Sequence, residues 1–190
     1  MPLALLLAQG TPLPITRWGH PVLHRPSRPV TEFGPDLWNL LCDMFATNTA
    51  ANGAGLAAPQ VGVDLAVFVY DCLDAFGRLH QGLICNPQIT LAVEPRQDND
   101  YEGCLSLPGA YIQVSRPDFA ICQGQDQFGE PVTVKGTGTL ARCLQHETDH
   151  VNGIVMEDHL NASERKNLRR QHNQVAPDYP DDWPASPSRP

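Results

Sequence analysis

The spacing of apolar residues along the chain predicts two long helices with short strands between them. The first helix begins at the Gly-Pro-Asp sequence of residues 34–36, because proline presets the first helical φ and aspartate favours the positive end of the helix dipole. Apolar residues then recur at i, i+3, i+4, i+7 and i+8 from residue 37 to 45, and the helix ends near residues 52–53. A second helix begins near residues 138–139 and ends near the Asn-Gly of residues 152–153.

Short apolar runs bounded by proline and glycine predict β-strands between these helices. The run LAVFVY at residues 65–70 is continuous, as in a buried strand, and residues 83–85 form another strand before Pro87. Three further strand-like segments cover residues 111–116, 119–123 and 132–135. The order of helix, strands and helices indicates an α+β fold and not alternating βαβ units.

The two ends of the chain differ from this central region. The segment LALLLA at residues 3–8 resembles a signal peptide, but no basic residue precedes Arg17 and the apolar run is short, so we expect it to pack onto the domain or to be disordered. Residues 163–173 predict a charged, exposed helix, and the proline-rich residues after it predict a disordered tail. We therefore divide the chain into an extension (1–14), one domain (15–173) and a tail (174–190).

Composition and charge narrow the classes of function. The chain has 190 residues, 42% of them hydrophobic, and a net charge of −8, which argues against broad electrostatic binding of nucleic acid and leaves a local basic patch open. No stretch is long enough to span a bilayer. The six cysteines form no CxxC pair, so we expect free thiols in a reducing compartment, most of them buried.

The second helix carries the sequence LQHETDHVNG at residues 144–153. His146 and His150 are four residues apart and share one helix face, so they can bind one metal ion with Glu147 beside it as a general base. A pair of hydrogen-bonded core histidines is the alternative, since HExxH also occurs by chance. The third ligand stays open: it is Cys104, within YEGCLSLPG at residues 101–109, or a residue downstream of the helix. The downstream candidates are Glu157, Asp158, His159 and Glu164.

A third segment, NGAGLAAPQVG at residues 52–62, is rich in glycine and small residues. It is not a phosphate-binding P-loop, because no GK[ST] follows the glycines. One explanation is close packing in a connection between a helix and a strand. The other is a backbone that is open to a substrate, with the amide of Gln60 as a fixed donor.

Together, GAGLAAPQ, EGCLS and QHETDH resemble the three signature motifs of peptide deformylases, in the same order and spacing. The resemblance extends from about residue 15 to about residue 170 and includes the sequence ITRWGHPVLH. It implies an α+β fold in which antiparallel sheets surround a central helix that carries the metal motif. It also implies an enzyme that removes the formyl group from the N-terminal formyl-methionine of newly made proteins and releases formate.

The resemblance implies roles for individual residues as well. Cys104, His146 and His150 would bind the metal, which is Fe²⁺ in bacterial members of the family and is readily replaced by Ni²⁺, Co²⁺ or Zn²⁺. Glu147 would take a proton from water and deliver it to the leaving amine. The Gln60 amide and the Leu105 N–H would stabilise the oxyanion. The substrate groove would include Ala54, Gly55 and Gly103, and helix spacing adds Thr139, Cys143 and His146 as the methionine pocket.

One position departs from the family pattern. Tyr111 stands where many peptide deformylases have an arginine, which affects contacts to the outer residues of the substrate. As partners, the resemblance implies N-formylmethionyl nascent peptides and the ribosome near its exit tunnel, for a cytoplasmic monomer that does not bind membranes. Two other functions stay open: a different metal-dependent amidase or protease, if a downstream acid binds the metal, and a structural zinc protein, if a fourth protein ligand is present.

Overall fold

The computed structural model of the protein describes residues 1–188 and confirms the α+β fold. The α-helices of this part of the chain are α1 (Leu3–Ala8), α2 (Pro35–Ala50), α3 (Gly138–Val151) and α4 (Ala162–Val175). The strands are β1 (Gly55–Ala57), β2 (Val67–Leu73), β3 (Leu79–Thr90), β4 (Gln97–Gly103), β5 (Tyr111–Pro117), β6 (Phe119–Gln125) and β7 (Pro131–Thr137). Both long predicted helices therefore begin and end close to the expected residues.

The strands form two antiparallel sheets, with helix α3 between them. One sheet has five strands in the order β1-β2-β3-β6-β7, and the other is the hairpin of β4 and β5. Helix α3 contacts the strands of the five-stranded sheet on one side and β5 of the hairpin on the other. The predicted arrangement of antiparallel sheets around a central helix is confirmed.

Two strands have no apolar pattern that predicts them. β1 has only three residues and follows the glycine-rich segment. In β4, with the sequence QDNDYEG, Glu102 is the one buried residue, so the strand shows no alternation of apolar and polar side chains. Both strands border the site described below.

Helix α3 has two buried faces. Leu140 and Leu144 are fully buried against a cluster that includes Phe68 of β2. His146 and His150 are also buried, on the part of the helix that faces the loop after β4. Because the helix is surrounded by sheet on both sides, its polar side chains are removed from water as effectively as its leucines.

Both ends of the described chain pack against the domain. Helix α1 lies on α2, and its Leu6 is fully buried, in agreement with the first of the two expectations for this segment. The prediction of a disordered tail is wrong for the part around Trp183. This residue is 7% exposed and belongs to the same core cluster as Leu41 of α2. Proline prevents regular helix here but not the burial of an aromatic ring. Residues 189–190 lie outside the described residues, and the domain boundaries stay a prediction.

No helix among residues 1–188 combines the length and the hydropathy that crossing a bilayer requires.

Candidate metal centre and active site

The structure brings together the side chains of Cys104, His146 and His150. The Cys104 Sγ lies 3.2 Å from His150 Nε2, which in turn lies 3.1 Å from His146 Nε2, and the three potential ligand atoms lie within 4.8 Å of one another. One turn of α3 separates the two histidines, and the loop after β4 supplies the cysteine. The two histidines therefore share one face of α3, as expected, and Cys104 lies next to that face.

The chemistry of this group fits a divalent transition-metal ion. The Nδ1 of His146 lies 2.6 Å from Glu102, which leaves Nε2, facing His150, as the nitrogen that can bind an ion in the neutral form of the ring. One thiolate and two imidazoles suit zinc, iron, nickel and cobalt. Three protein ligands leave a coordination position open, as a catalytic site requires.

The downstream candidates for the third ligand lie elsewhere. Among the described residues, the group of ligand atoms contains none of Glu157, Asp158, His159 and Glu164. Each of these bonds to another part of the chain, namely Arg169, the Val155 amide, Asp149 and the Asn161 amide, respectively. The arrangement thus favours Cys104 over a downstream acid.

The neighbouring charges favour the ligand form of the cysteine. Loss of contact with water alone would raise the pKa of the Cys104 thiol, but the positive charges and hydrogen bonds of His150 and His146 outweigh this effect and hold the pKa well below its usual value. For His146, burial opposes the charged form, yet the Glu102 carboxylate raises the pKa well above its usual value. The site is built to hold a thiolate.

Glu147 lies beside the ligand group with a carboxylate that is poorly hydrated. The side chain is 3% exposed, and its Oε2 has no hydrogen-bond partner among the described residues. Burial raises the pKa of Glu147 to about 7. A Cβ atom on Gly55 would lie 2.8 Å from Glu147 Cγ, so glycine is needed for β1 to approach this carboxylate. Glu147 can therefore hold or release a proton near neutral pH.

Gln60 presents a fixed amide donor to the same site. Its Oε1 accepts a hydrogen bond from the Ala57 N–H at 2.9 Å, which orients the amide. Its Nε2 then donates towards Cys104 Sγ at 3.7 Å and Ser106 Oγ at 3.4 Å. Packing alone does not explain this orientation, since the polar end of a side chain that is 1% exposed points at the ligand group.

A cavity of about 270 Å³ opens beside the ligand group. Its walls contain every residue that the resemblance and the helix spacing assign to the site except His150, which lines a second, smaller pocket together with Cys104. These residues are Ala54, Gly55, Gln60, Gly103, Cys104, Leu105, Thr139, Cys143, His146 and Glu147. A small acyl group can reach the ligand atoms through this cavity.

Sequence reasoning missed a buried cluster of charges under the site. Glu102 accepts two hydrogen bonds from Arg116, one from Arg142 and one from His146, at 2.6–3.0 Å. Its carboxylate is almost completely removed from water. The available signal was its place in EGCLS, two residues before the predicted ligand Cys104.

Sequence reasoning also missed two aromatic residues of the tail, Tyr179 and Trp183, which line the cavity. The signal here was composition, because disordered segments contain few aromatic residues.

A cysteine–histidine–histidine group, an adjacent buried carboxylate and an open cavity define a metal-dependent hydrolase. The model of the family described as polypeptide deformylase matches residues 12–166. The chain is 51% identical over 174 residues to peptide deformylase 1 of Streptomyces avermitilis, covering 90% of this chain and 81% of the relative. The chain belongs to the peptide deformylase family, and with it to the metalloenzymes that remove the formyl group from newly made proteins.

Solved structures agree with this assignment. A peptide deformylase from Legionella pneumophila superposes with a TM-score of 0.79 at 38% identity, over 88% of this chain and 96% of the other. A peptide deformylase from Synechococcus elongatus in complex with actinonin superposes with a TM-score of 0.76 at 33% identity, over 87% of this chain and 88% of the other. The fold is thus shared with solved peptide deformylases.

Proposed function

We propose that this chain hydrolyses the formyl amide of N-formylmethionyl peptides, with Cys104, His146 and His150 as metal ligands and Glu147 as the acid–base residue. The observation that carries the proposal is the position of the buried Glu147 carboxylate in the same cavity wall as Cys104 and His146, with one oxygen that has no partner among residues 1–188. A divalent ion held by Cys104, His146 and His150 would lower the pKa of water and polarise the formyl oxygen. The remaining steps belong to the side chains of the protein.

Glu147 moves the proton. Its carboxylate accepts a proton from the attacking water and returns it to the nitrogen of the leaving amine, which completes release of formate and a free N-terminus. Burial raises the pKa of this carboxyl group, which makes it a stronger base than an exposed glutamate.

Two N–H donors stabilise the oxyanion that forms on the formyl oxygen. The Gln60 amide is held by Ala57 and directed at the site, so it needs no reorganisation during the reaction. Leu105 follows the ligand Cys104 directly and lines the cavity, which supports its backbone N–H as the second donor.

The peptide binds between the two sheets. β1 is an edge strand of the five-stranded sheet, and Ala54 and Gly55 line the cavity opposite Gly103 of β4. An extended peptide can add to such an edge through backbone hydrogen bonds. Thr139 and Cys143, on the cavity face of α3, form part of the methionine pocket in this proposal.

The proposal also includes the native metal ion and the macromolecular partners of the protein. We assign Fe²⁺ as the native ion, with Ni²⁺, Co²⁺ or Zn²⁺ able to replace it, on the basis of the family resemblance and the mixed thiolate and imidazole ligands. We further propose a cytoplasmic monomer that meets nascent chains near the ribosomal exit tunnel. Exposed cations on α4, at Arg165, Lys166 and Arg170, support contact with RNA in a chain whose overall net charge is −8.

Formate release tests the reaction. We expect protein loaded anaerobically with Fe²⁺ to release formate from formyl-Met-Ala, and acetyl-Met-Ala to be a poor substrate because the cavity must then hold an extra methyl group beside the ligand atoms. Absence of formate release would overturn the proposal.

Air sensitivity tests the assignment of iron. Iron-loaded protein is expected to lose activity in air faster than nickel-loaded protein, through oxidation of the ion or of the adjacent thiolate. Equal half-lives in air would contradict Fe²⁺ as the labile native ion.

A further inference from the structure

The segment after α4 folds back over the cavity of the active site. Tyr179 and Trp183 form part of its wall, as do Leu105 and the residues that follow helix α2. Their rings meet edge to face, with centroids 5.1 Å apart. Tyr179 is half-buried, and the ring of Trp183 is almost completely buried in the core. The tail therefore forms part of the wall of the cavity.

Residues near the other end of the chain hold this segment in place. The Ile15 N–H donates to the Trp183 carbonyl at 2.9 Å, and Arg17 Nη2 donates to the Pro180 carbonyl at 3.0 Å. The guanidinium carbon of Arg17 lies 5.5 Å from the centroid of the Trp183 ring, within the range of a cation–π contact. Arg17 does not line the cavity, and the hydrogen bond of its side chain is made to the tail.

The tail also packs tightly on the loop that carries Cys104 and Leu105. A Cβ atom on Gly109 would collide with the Val175 side chain and lie 3.3 Å from the ring of Tyr179. The φ of Gly109 is +75°, so both backbone geometry and the tail require glycine here. His172 of α4 adds a hydrogen bond to the carbonyl of Pro108 at 2.9 Å. The position of Tyr179 relative to the cavity is thus fixed from two sides.

The wall of the cavity combines residues from different elements. Thr139 and Cys143 of α3 belong to the proposed methionine pocket, and Cys143 packs on Gly55. Gly109, Tyr111 and the tail residue Tyr179 also line the cavity, and Tyr179 packs on Gly109. A peptide that places its formyl group at the ligand atoms and its methionine against α3 can therefore continue along the part of the wall that Tyr179 forms.

We propose that Tyr179 is a specificity-determining residue, which contacts the substrate residues that follow the formyl-methionine, and that Arg17 positions it through the tail. The half-buried ring offers an apolar face with few rotatable bonds, which suits an extended peptide carrying apolar side chains. This inference rests on the proposed function, because it assigns a further part of the same substrate site.

The experiment compares two substrates that differ only beyond the methionine. N-formylmethionine amide ends at the methionine, whereas formyl-Met-Ala-Leu continues towards Tyr179. The quantity measured is the ratio of kcat/KM for the longer substrate to kcat/KM for the shorter one, with nickel-loaded protein. We expect this ratio to fall roughly three- to tenfold in Tyr179→Ala, as for the loss of one aromatic contact. Tyr179→Phe keeps the ring and is expected to retain the ratio of the parent protein.

Two further variants separate contact from general destabilisation. Arg17→Gln removes the charged bond to Pro180 without altering the cavity wall, and we expect the ratio to fall in the same direction as in Tyr179→Ala. Phe76→Ala is the matched control, since this ring is 78% exposed on the turn between β2 and β3 and does not line the cavity. It is expected to keep the parent ratio.

Thermal melting is recorded for every variant, and comparison of the two substrates cancels any loss of folded protein. A ratio that stays unchanged in Tyr179→Ala, with both substrates affected equally or not at all, would overturn the role of Tyr179. A fall in Tyr179→Ala but not in Arg17→Gln would overturn the positioning role of Arg17. No formate release from either substrate by the parent protein would instead overturn the proposed function, and this inference with it.

Discussion

Replacement of Glu102 by glutamine tests the buried charge cluster under the metal site. Glu102 bonds to Arg116 at 2.8 Å through both oxygens, to Arg142 at 3.0 Å and to His146 at 2.6 Å. Glutamine keeps the shape of the side chain but removes the negative charge. It also places an NH₂ group opposite groups that can only donate, so at least one hydrogen bond becomes a repulsive contact.

The expected cost is large because the cluster is buried. Removing one partner from a buried ion pair costs about 3–5 kcal/mol in the free energy of unfolding, since the other charge stays buried without compensation. Here Arg116 keeps Asp149 at 2.8 Å and Arg142 keeps Asp98 at 3.2 Å, which limits the loss. We therefore expect about 3 kcal/mol, or a decrease in Tm of about 6–12 °C for a chain of this size.

The assay is urea unfolding of metal-free protein, so that loss of the ion does not contribute. Asp98→Asn is the matched control, because it removes a carboxylate from the same Arg142, but one whose side chain is 43% exposed. Exposed pairs contribute about 0–1 kcal/mol, so this variant is expected to unfold close to the parent protein. A loss below 1 kcal/mol in Glu102→Gln, equal to that of the control, would refute the reasoning.

Metal affinity and pH give two further readouts of the same replacement. Glu102 fixes the Nδ1–H of His146, and loss of such a partner typically weakens metal binding about 10–100-fold. Burial favours the neutral acid, but the hydrogen bonds of Arg116 and the charge of His146 hold the pKa of Glu102 far below its ordinary value of 4.5. A depressed carboxyl pKa contributes stability that is present above the unfolded value and is lost as the pH falls below it. As the pH falls from about 5, the free energy of unfolding should therefore decrease more for the parent protein than for Glu102→Gln.

The remaining predictions concern the proposed catalytic groups. Elemental analysis should find that Cys104→Ala loses tightly bound metal, while Cys42→Ala, which changes a buried cysteine on α2, retains it; full occupancy in Cys104→Ala would remove the proposed ligand. Glu147→Gln should retain the metal but lose roughly 10²- to 10⁴-fold in turnover, and near-normal turnover would make Glu147 structural. Gln60→Leu should lower kcat by roughly 10²- to 10³-fold with little change in KM, because the donor acts on the oxyanion and less on the neutral formyl oxygen. A raised KM with unchanged kcat would leave the Leu105 N–H as the one proposed donor.

Local patterns in the sequence were sufficient to predict helix α3 and the meeting of its two histidines. His146 and His150 meet on one face because the helical period fixes the i, i+4 relation, and this relation does not depend on the rest of the fold. Cys104 is different: spacing alone left downstream acids as alternatives, and only the motif resemblance favoured the cysteine. The antiparallel sheets around α3 followed from the same resemblance, since β1 and β4 have no apolar pattern of their own.

Only the tertiary structure decided which polar and aromatic residues support the site. Strand β4 contains four acidic or amide residues before Tyr101, yet Glu102 alone is buried, because the orientation of the hairpin against α3 determines which side chain meets Arg116 and His146. Likewise, a proline-rich composition predicted a disordered tail, whereas Trp183 is buried against residues more than a hundred positions earlier in the chain. Burial of this kind depends on contacts with residues that are distant in the chain, and the sequence of a short segment does not specify those residues.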